Sequence, residues 1–267
     1  MRRVEAVIFD WAGTTVDHGS LAPVRALTEL FADCGVPLSG ADARRDMGLF
    51  KKDHIRRILA LPNVSEAWRA KYGAAPAESD VERLFEGFSP VQMKILEKHA
   101  GVIGGVAPLT ERLRGRGLRI GSTTGYTRPM LDVLLAEAAR QGFSPDVSLC
   151  PDDVGGGRPH PWMCLRIAME FRVSSTSACV KVGDTPVDIQ EGLNAGMWVV
   201  GVSRTGNELG MSEAELANLA EPELLARNQR ACAALSDAGA HYVVESAALL
   251  EPVLEMIDKR MGAGERP

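Results

Sequence analysis

Val4-Glu5-Ala6-Val7-Ile8-Phe9-Asp10-Trp11-Ala12-Gly13-Thr14-Thr15 is the stretch on which the fold turns. An apolar run breaks off at a carboxylate, and small residues with free amides follow it. A short run of this kind, rich in β-branched residues, reads as a strand buried on both faces. The pattern recurs at Leu118–Gly121 before Ser122, Val147–Cys150 before Pro151, and Ala178–Val182 before Gly183-Asp184. Trp198–Val202 and Tyr242–Val244 complete the series. Strands spaced by helical segments predict an α/β fold with a doubly wound parallel sheet. Ligands in such sheets bind beyond the carboxyl ends of the strands, where the polar residues of this chain collect.

The segment from 19 to 101 has no strand signal. Val24, Leu27, Leu30, Phe31 and Cys34 recur at helical spacing, with Ser20 expected as N-cap and Gly35 as terminator. A second helix is expected over 79–99, broken near Ser89-Pro90. The expected organisation is therefore an α/β core, 1–18 and 102–267, with an all-helical cap, 19–101, inserted after the first strand.

The 267 residues are 45% apolar and 24% charged, the balance of a globular protein. With 30 basic and 35 acidic residues the net charge is −5, which argues against nucleic acid or an anionic membrane as partner. An anionic small molecule would have to be held by locally placed cations and amides. Cys34, Cys150, Cys164, Cys179 and Cys232 are scattered and form no C-x-x-C pair, so neither a disulfide framework nor a zinc site is expected. No leader or membrane-length run stands out, and a cytoplasmic protein is expected.

Four polar motifs sit at strand ends. Asp10 can act as a nucleophile toward phosphorus. Gly183-Asp184-Thr185-Pro186-Val187-Asp188 supplies hard oxygen ligands suited to Mg²⁺, although Asp188 alone also fits a helix-start aspartate. Ser122-Thr123-Thr124-Gly125-Tyr126 offers hydroxyls for phosphoryl oxygens, and Gly157-Arg158-Pro159 offers a cation. Each is weak alone; together and in this order they are specific.

In these motifs the chain resembles the haloacid dehalogenase superfamily, with Asp10, Thr124, Arg158 and the Asp184/Asp188 pair at its four motif positions. The resemblance implies a parallel sheet with a mobile cap and a phospho-aspartyl intermediate. One departure is informative. Phosphatases of the superfamily carry Asp-x-Asp, the second Asp protonating the departing alkoxide, and here that position is Ala12. Loss of a general acid costs about 10²–10⁴-fold, so either the protein is crippled or its leaving group needs none.

The expected cap supplies Met47-Gly48-Leu49-Phe50-Lys51-Lys52-Asp53-His54. On a helix, Met47, Lys51 and His54 would share one face. Taken alone, Lys51 would be a solvated lysine. A lysine amine can, however, condense with an aldehyde to an iminium, and breaking the adjacent bond then expels an enamine that needs no proton donor. With this string the resemblance narrows to the phosphonatase branch of the superfamily, over Ala6–Asp17, Met47–His54, Gly121–Thr127, Pro151–Pro161 and Val182–Gly201. Gly155–Gly157 is richer in glycine than that pattern.

The resemblance implies hydrolysis of the carbon–phosphorus bond of phosphonoacetaldehyde through a Lys51 Schiff base. It implies Mg²⁺ held by Asp10, the Ala12 carbonyl and Asp184, with Asp188 supporting them from behind. Thr124 and Arg158 would bind phosphonate oxygens, His54 would shuttle protons, and Met47 and Tyr126 would line the pocket. It also implies a homodimer joined through the cap, for which the Val24–Cys34 stripe could serve unless it is the cap's own core. The competing expectations are a phosphomonoesterase of the same superfamily, which Ala12 opposes, and a silent phosphate-binding protein.

Overall fold

The computed structural model describes residues 3–267. Residues 1 and 2, at the head of the expected core segment, lie outside the described residues. The chain runs β1 (Ala6–Phe9), α1 (Leu21–Asp33), α2 (Gly40–Arg44), α3 (Lys51–Leu59), α4 (Pro62–Tyr72) and α5 (Glu78–Leu96). It continues α6 (Val106–Gly115), β2 (Arg119–Thr123), α7 (Arg128–Arg140), β3 (Val147–Leu149), α8 (Trp162–Phe171), β4 (Cys179–Gly183), α9 (Pro186–Asn194) and β5 (Trp198–Val202). α10 (Glu213–Ala217), α11 (Glu221–Asp237), β6 (Tyr242–Val244) and α12 (Glu251–Gly262) complete it.

All six strands are parallel, in the order β3-β2-β1-β4-β5-β6. Alternation along β1 dictates which helices cover which face. Val7 and Phe9 pack with Val106, Leu109, Leu134, Leu254 and Ile257 from α6, α7 and α12. Ala6 and Ile8 pack with Cys164, Ile167 and Phe171 from α8, and Val199 of β5 with Ile189 and Leu235 from α9 and α11. The strand order reverses direction at β1, because the chain next forms β2 on one side and later β4 on the other. Phe9 pairs with Ser122 and with Val182, so residues 10, 123 and 183 emerge together at that switch point.

Helices α1 to α5 lie between β1 and β2 in sequence. The chain leaving β1 and the chain returning to α6 pair with each other. Val16 and Val102 form an antiparallel bridge, and Ile103 N donates to Thr15 O at 2.9 Å. The Val24, Leu27, Leu30 and Phe31 side chains of α1 are buried, and α1 packs against α5. The stripe is thus interior to the helical block.

Four local expectations need correction. Ser20 precedes α1 in a left-handed conformation, φ 50°, and its side chain does not cap the helix; the Asp17 carboxylate accepts from Ala22 N at 2.9 Å instead. α5 is not broken at Pro90. Leu84, Phe88, Gln92 and Leu96 are buried on both sides of the proline, and their shared face outweighs the one main-chain bond that proline forfeits. The helix carrying Lys51 begins at that residue, so Met47 is not on it; Gly48, with φ 93°, turns the chain between them. Finally, β2 extends through Thr123, placing the first two hydroxyls inside the sheet.

No helix among the described residues is long and apolar enough to cross a membrane. Phe31 is fully buried between α1 and its neighbours, so Phe31→Ala is expected to cost about 3–5 kcal/mol in denaturant unfolding. Leu225→Ala, on a residue 57% exposed, is the control and should stay within about 0.5 kcal/mol.

Candidate active site

Three carboxylates meet at the switch point. Asp10 follows β1, Asp184 follows β4, and Asp188 sits in the first turn of α9. Each is buried, and one oxygen of each lies within 4.8 Å of those of the other two. Their placement depends on small neighbours. Gly13 has φ 85°, and a Cβ there would collide with the Asp184 carboxylate, so this turn admits only glycine. Asp184 accepts from Asn207 N at 2.7 Å and Thr14 Oγ1 at 3.3 Å. Thr185 caps α9 and donates to Asp188 Oδ2 at 2.7 Å.

Arg158 threads between these groups, with a partner at each of its three guanidinium nitrogens. Nη2 lies 2.8 Å from Asp10 Oδ1 and also donates to the carbonyl and hydroxyl of Thr123, both at 2.8 Å. Nη1 lies 2.9 Å from Asp188 Oδ1, and Nε donates to Glu191 Oε2 at 2.9 Å. Lys181, fully buried in β4, lies 3.2 Å from Asp188 Oδ1 and 3.0 Å from Glu191 Oε2.

The electrostatics follow from this crowding. Burial, then the Asp188 charge, raise the Asp10 pKa to about 6, against the pull of Arg158 and Lys181. Asp184 is pushed well above the carboxylate range by burial and by Asp10 and Asp188. Burial works the same way on Asp188, but Arg158 and Lys181 overcome it and hold that carboxyl below its usual value. Four buried carboxylates (Asp10, Asp184, Asp188 and Glu191) thus face two buried cations, Arg158 and Lys181. When all are ionised, two negative charges are left over. A divalent cation with oxygen ligands fits both that deficit and the donor set.

Lys51 comes from the other side. Its side chain is 2% exposed, with Nζ 3.4 Å from Met47 Sδ and 5.7 Å from the centre of the Tyr126 ring. Burial lowers its pKa to about 7; Asp10 opposes the shift and Arg158 adds to it. Lys52 instead pairs with Glu82 at the surface. His54 is fully buried behind Lys51, and neither ring nitrogen has a hydrogen-bond partner. Burial and the Lys51 charge hold His54 well below the usual histidine value, so its imidazole is neutral. Tyr126 OH accepts from Gln92 Nε2 at 3.4 Å, and burial raises its phenol.

Asp10, Ala12, Met47, Lys51, Thr124, Tyr126, Arg158, Asp184 and Asp188 all line one small cavity; His54 does not. The cavity has about 20 Å³ of room, on the order of one water molecule. Glycines make the fit this close. A Cβ on Gly125 would lie 2.6 Å from Leu49 O and 2.8 Å from Gly48 O, and one on Gly157 would lie 2.8 Å from Phe50 Cβ. Ser20 and Thr123, named in the sequence only as a helix cap and as one of a run of hydroxyls, join the site, as do Gln92, Lys181 and Glu191, which the sequence did not single out. Of these, only Lys181 carries a sequence signal, a charge inside an apolar strand.

Residues 4–196 match the haloacid dehalogenase-like hydrolase family. The chain is 46% identical to a phosphonoacetaldehyde hydrolase of Nitratidesulfovibrio vulgaris, over 99% of this chain and 94% of that protein. It is also 46% identical to one of Paraburkholderia xenovorans, over the whole of both chains. The crystal structure of a phosphonoacetaldehyde hydrolase-like protein from Oleispira antarctica superposes with a TM-score of 0.97 at 42% identity, covering 99% of this chain and 96% of that one. A Pseudomonas syringae hydrolase shares the fold at a TM-score of 0.70 and 20% identity.

Gly125→Ala should prop the 47–50 segment away from the core and let water reach Lys51. Its pKa is expected to return toward about 10.4, the free-lysine value, as read by the pH dependence of Lys51 modification with an amine reagent. An unchanged titration near 7 would mean that closure at this seam does not desolvate the amine.

Proposed function

The chain belongs to the phosphonoacetaldehyde hydrolases of the haloacid dehalogenase-like family, and we propose that it works through an amine, Lys51, and a carboxylate, Asp10, facing each other across one cavity. It hydrolyses the carbon–phosphorus bond of phosphonoacetaldehyde to acetaldehyde and phosphate. The observation that carries the residue assignment is the pairing of a buried amine whose pKa is near 7 with Ala12, which has no proton to give.

The Lys51 amine adds to the aldehyde carbonyl, water leaves, and an iminium forms. Neutral amine is needed for the attack, and the dry surroundings of Lys51 supply it. His54, neutral and buried beside Lys51, takes and returns protons through the small displacement that substrate entry requires. An Asp10 oxygen then bonds to phosphorus while the carbon–phosphorus pair moves into the iminium, leaving an enamine on Lys51 and a phosphoryl group on Asp10. Protonation at carbon and hydrolysis release acetaldehyde and the free amine. Water then attacks phosphorus, freeing phosphate and the Asp10 carboxylate. Throughout, Arg158 and Thr124 hold the phosphonate oxygens, with Met47 and Tyr126 walling the aldehyde end.

The carboxylate cluster fits Mg²⁺, which Asp10, Asp184 and the Ala12 carbonyl would hold, with Asp188 supporting them. When bound, it neutralises charge on the phosphonate and on the attacking carboxylate. A cavity the size of one water cannot admit the substrate, so the 47–50 segment must lift away before binding and reseat afterwards. A cytoplasmic location is part of the same reading, supported by five free cysteines. A homodimer joined through the helical block is also part of it; any such contact would use surface other than the buried α1 stripe.

Borohydride added with phosphonoacetaldehyde should reduce the iminium and fix a two-carbon adduct on Lys51, found by peptide mass, with capture increasing as pH rises through about 7. Below that pH the amine holds its proton and capture falls. Lys51→Arg should give no adduct and no acetaldehyde in a coupled dehydrogenase assay; an equal adduct in that variant would remove Lys51 from the mechanism. Chelation should stop acetaldehyde release by more than about a hundredfold and added Mg²⁺ should restore it. Full turnover in chelator would leave the carboxylate cluster without its proposed ion.

A further inference from the structure

The reaction makes direct use of Arg158 and Asp10 but gives no task to Lys181 or Glu191, two charged side chains that are fully buried. Burying a charge is costly unless it is paired, so their presence needs a reason. Both touch the atoms that Arg158 touches. Asp188 Oδ1 lies 2.9 Å from Arg158 Nη1 and 3.2 Å from Lys181 Nζ. Glu191 Oε2 lies 2.9 Å from Arg158 Nε and 3.0 Å from Lys181 Nζ. Thr123 Oγ1 receives Arg158 Nη2 at 2.8 Å and Lys181 Nζ at 2.7 Å, and is 3.0 Å from Glu191 Oε2.

Arg158 therefore faces a conflict. Its Nη2 edge sits on Asp10, the atom set that must be free to attack phosphorus, and that edge has to exchange the carboxylate for a phosphonate oxygen. Its other donors are claimed by two further carboxylates. Were Arg158 their only counter-ion, Asp188 and Glu191 would draw the guanidinium toward α9 and away from the phosphonate. Lys181 shares both oxygens and so discharges that pull.

We propose that Lys181 and Glu191 are positioning residues for Arg158: Glu191 anchors its Nε, while Lys181 neutralises Glu191 and Asp188 so that the Nη2 edge is free to trade Asp10 for a phosphonate oxygen. This rests on the reading that Arg158 binds the phosphonate. Neither residue lines the cavity.

The test is orthophosphate binding by calorimetry in saturating Mg²⁺, with KM and kcat measured alongside, for wild type, Arg158→Lys, Lys181→Gln and the double variant Lys181→Gln/Glu191→Gln. Lys181→Gln should weaken phosphate binding roughly tenfold and raise KM in parallel, with a smaller fall in kcat. The double variant removes one charge of each sign and should recover to within about threefold of wild type. A wild-type phosphate affinity in Lys181→Gln overturns the proposal, as does a double variant that binds no better than the single or fails to fold, since a scaffold role would add the two losses. A single variant that fails to fold beside a double variant that folds and binds phosphate supports the pair as one charge-balanced unit. If Arg158→Lys itself binds phosphate like wild type, the reading of Arg158 has failed rather than that of Lys181.

Discussion

Crowding of like charge at the carboxyl ends of β1 and β4 governs the rest of this structure. A parallel sheet brings strand ends together at its switch point, and here the residues delivered are acids. Asp10, Asp184 and Asp188 cannot all ionise out of water without counter-charge. The protein supplies two cations of its own, one fixed in a strand and one reaching across from the loop before α8. The remaining deficit suits a divalent ion. The neighbouring glycines, the Thr185 cap and the Asn207 amide are arranged around this unresolved charge rather than around packing alone.

Chemistry is divided between two environments that impose opposite demands. The carboxyl ends of the strands hold the carboxylate proposed to attack, and they are rich in charge and hydrogen-bond donors. The amine assigned to Lys51 would have to be uncharged, and α3 presents it beside Met47, Tyr126 and the buried His54, where burial outweighs the pull of Asp10 on an ammonium. Neither environment would perform the other's task. Their contact through backbone at Gly48, Gly125 and Gly157 lets a polar floor and a dry roof meet with room for about one water between them. Ala12 belongs to the same logic, because an acid there would bring one more charge into a cluster already short of cations.

Much of this was legible in the sequence because parallel strands bury both faces and therefore read as unbroken apolar runs. Trp198–Val202 and Tyr242–Val244 match the strands residue for residue, and β1 ends where Asp10 begins. Reactive residues that terminate such runs are visible for the same reason. What local pattern could not carry was anything decided by a distant neighbour. Pro90 stays inside α5 because of what lies against both halves of that helix, and Asp17 displaces Ser20 as the cap of α1 because Ser20 takes a left-handed turn. Met47 reaches Lys51 through a glycine turn and not along a helical face. Glu191, three residues beyond Asp188 on α9, looks like a solvated helix glutamate until the sheet sets Lys181 beneath it.

The antiparallel bridge between Val16 and Val102 bears on how the chain reaches its native state. β1 and β2 are adjacent in the sheet yet separated in sequence by every residue of α1 to α5. Closing a flexible loop costs about 0.6 kcal/mol more for each doubling of its length, a cost met before strand pairing returns anything. A helical block that condenses first, by local contacts such as α1 on α5, brings its own two ends side by side at that bridge. β1 and β2 then meet as though joined by a single-helix crossover through α6. The same insertion that packs over the carboxyl ends of β1 and β4 thus joins its own two ends, which shortens the effective loop between β1 and β2.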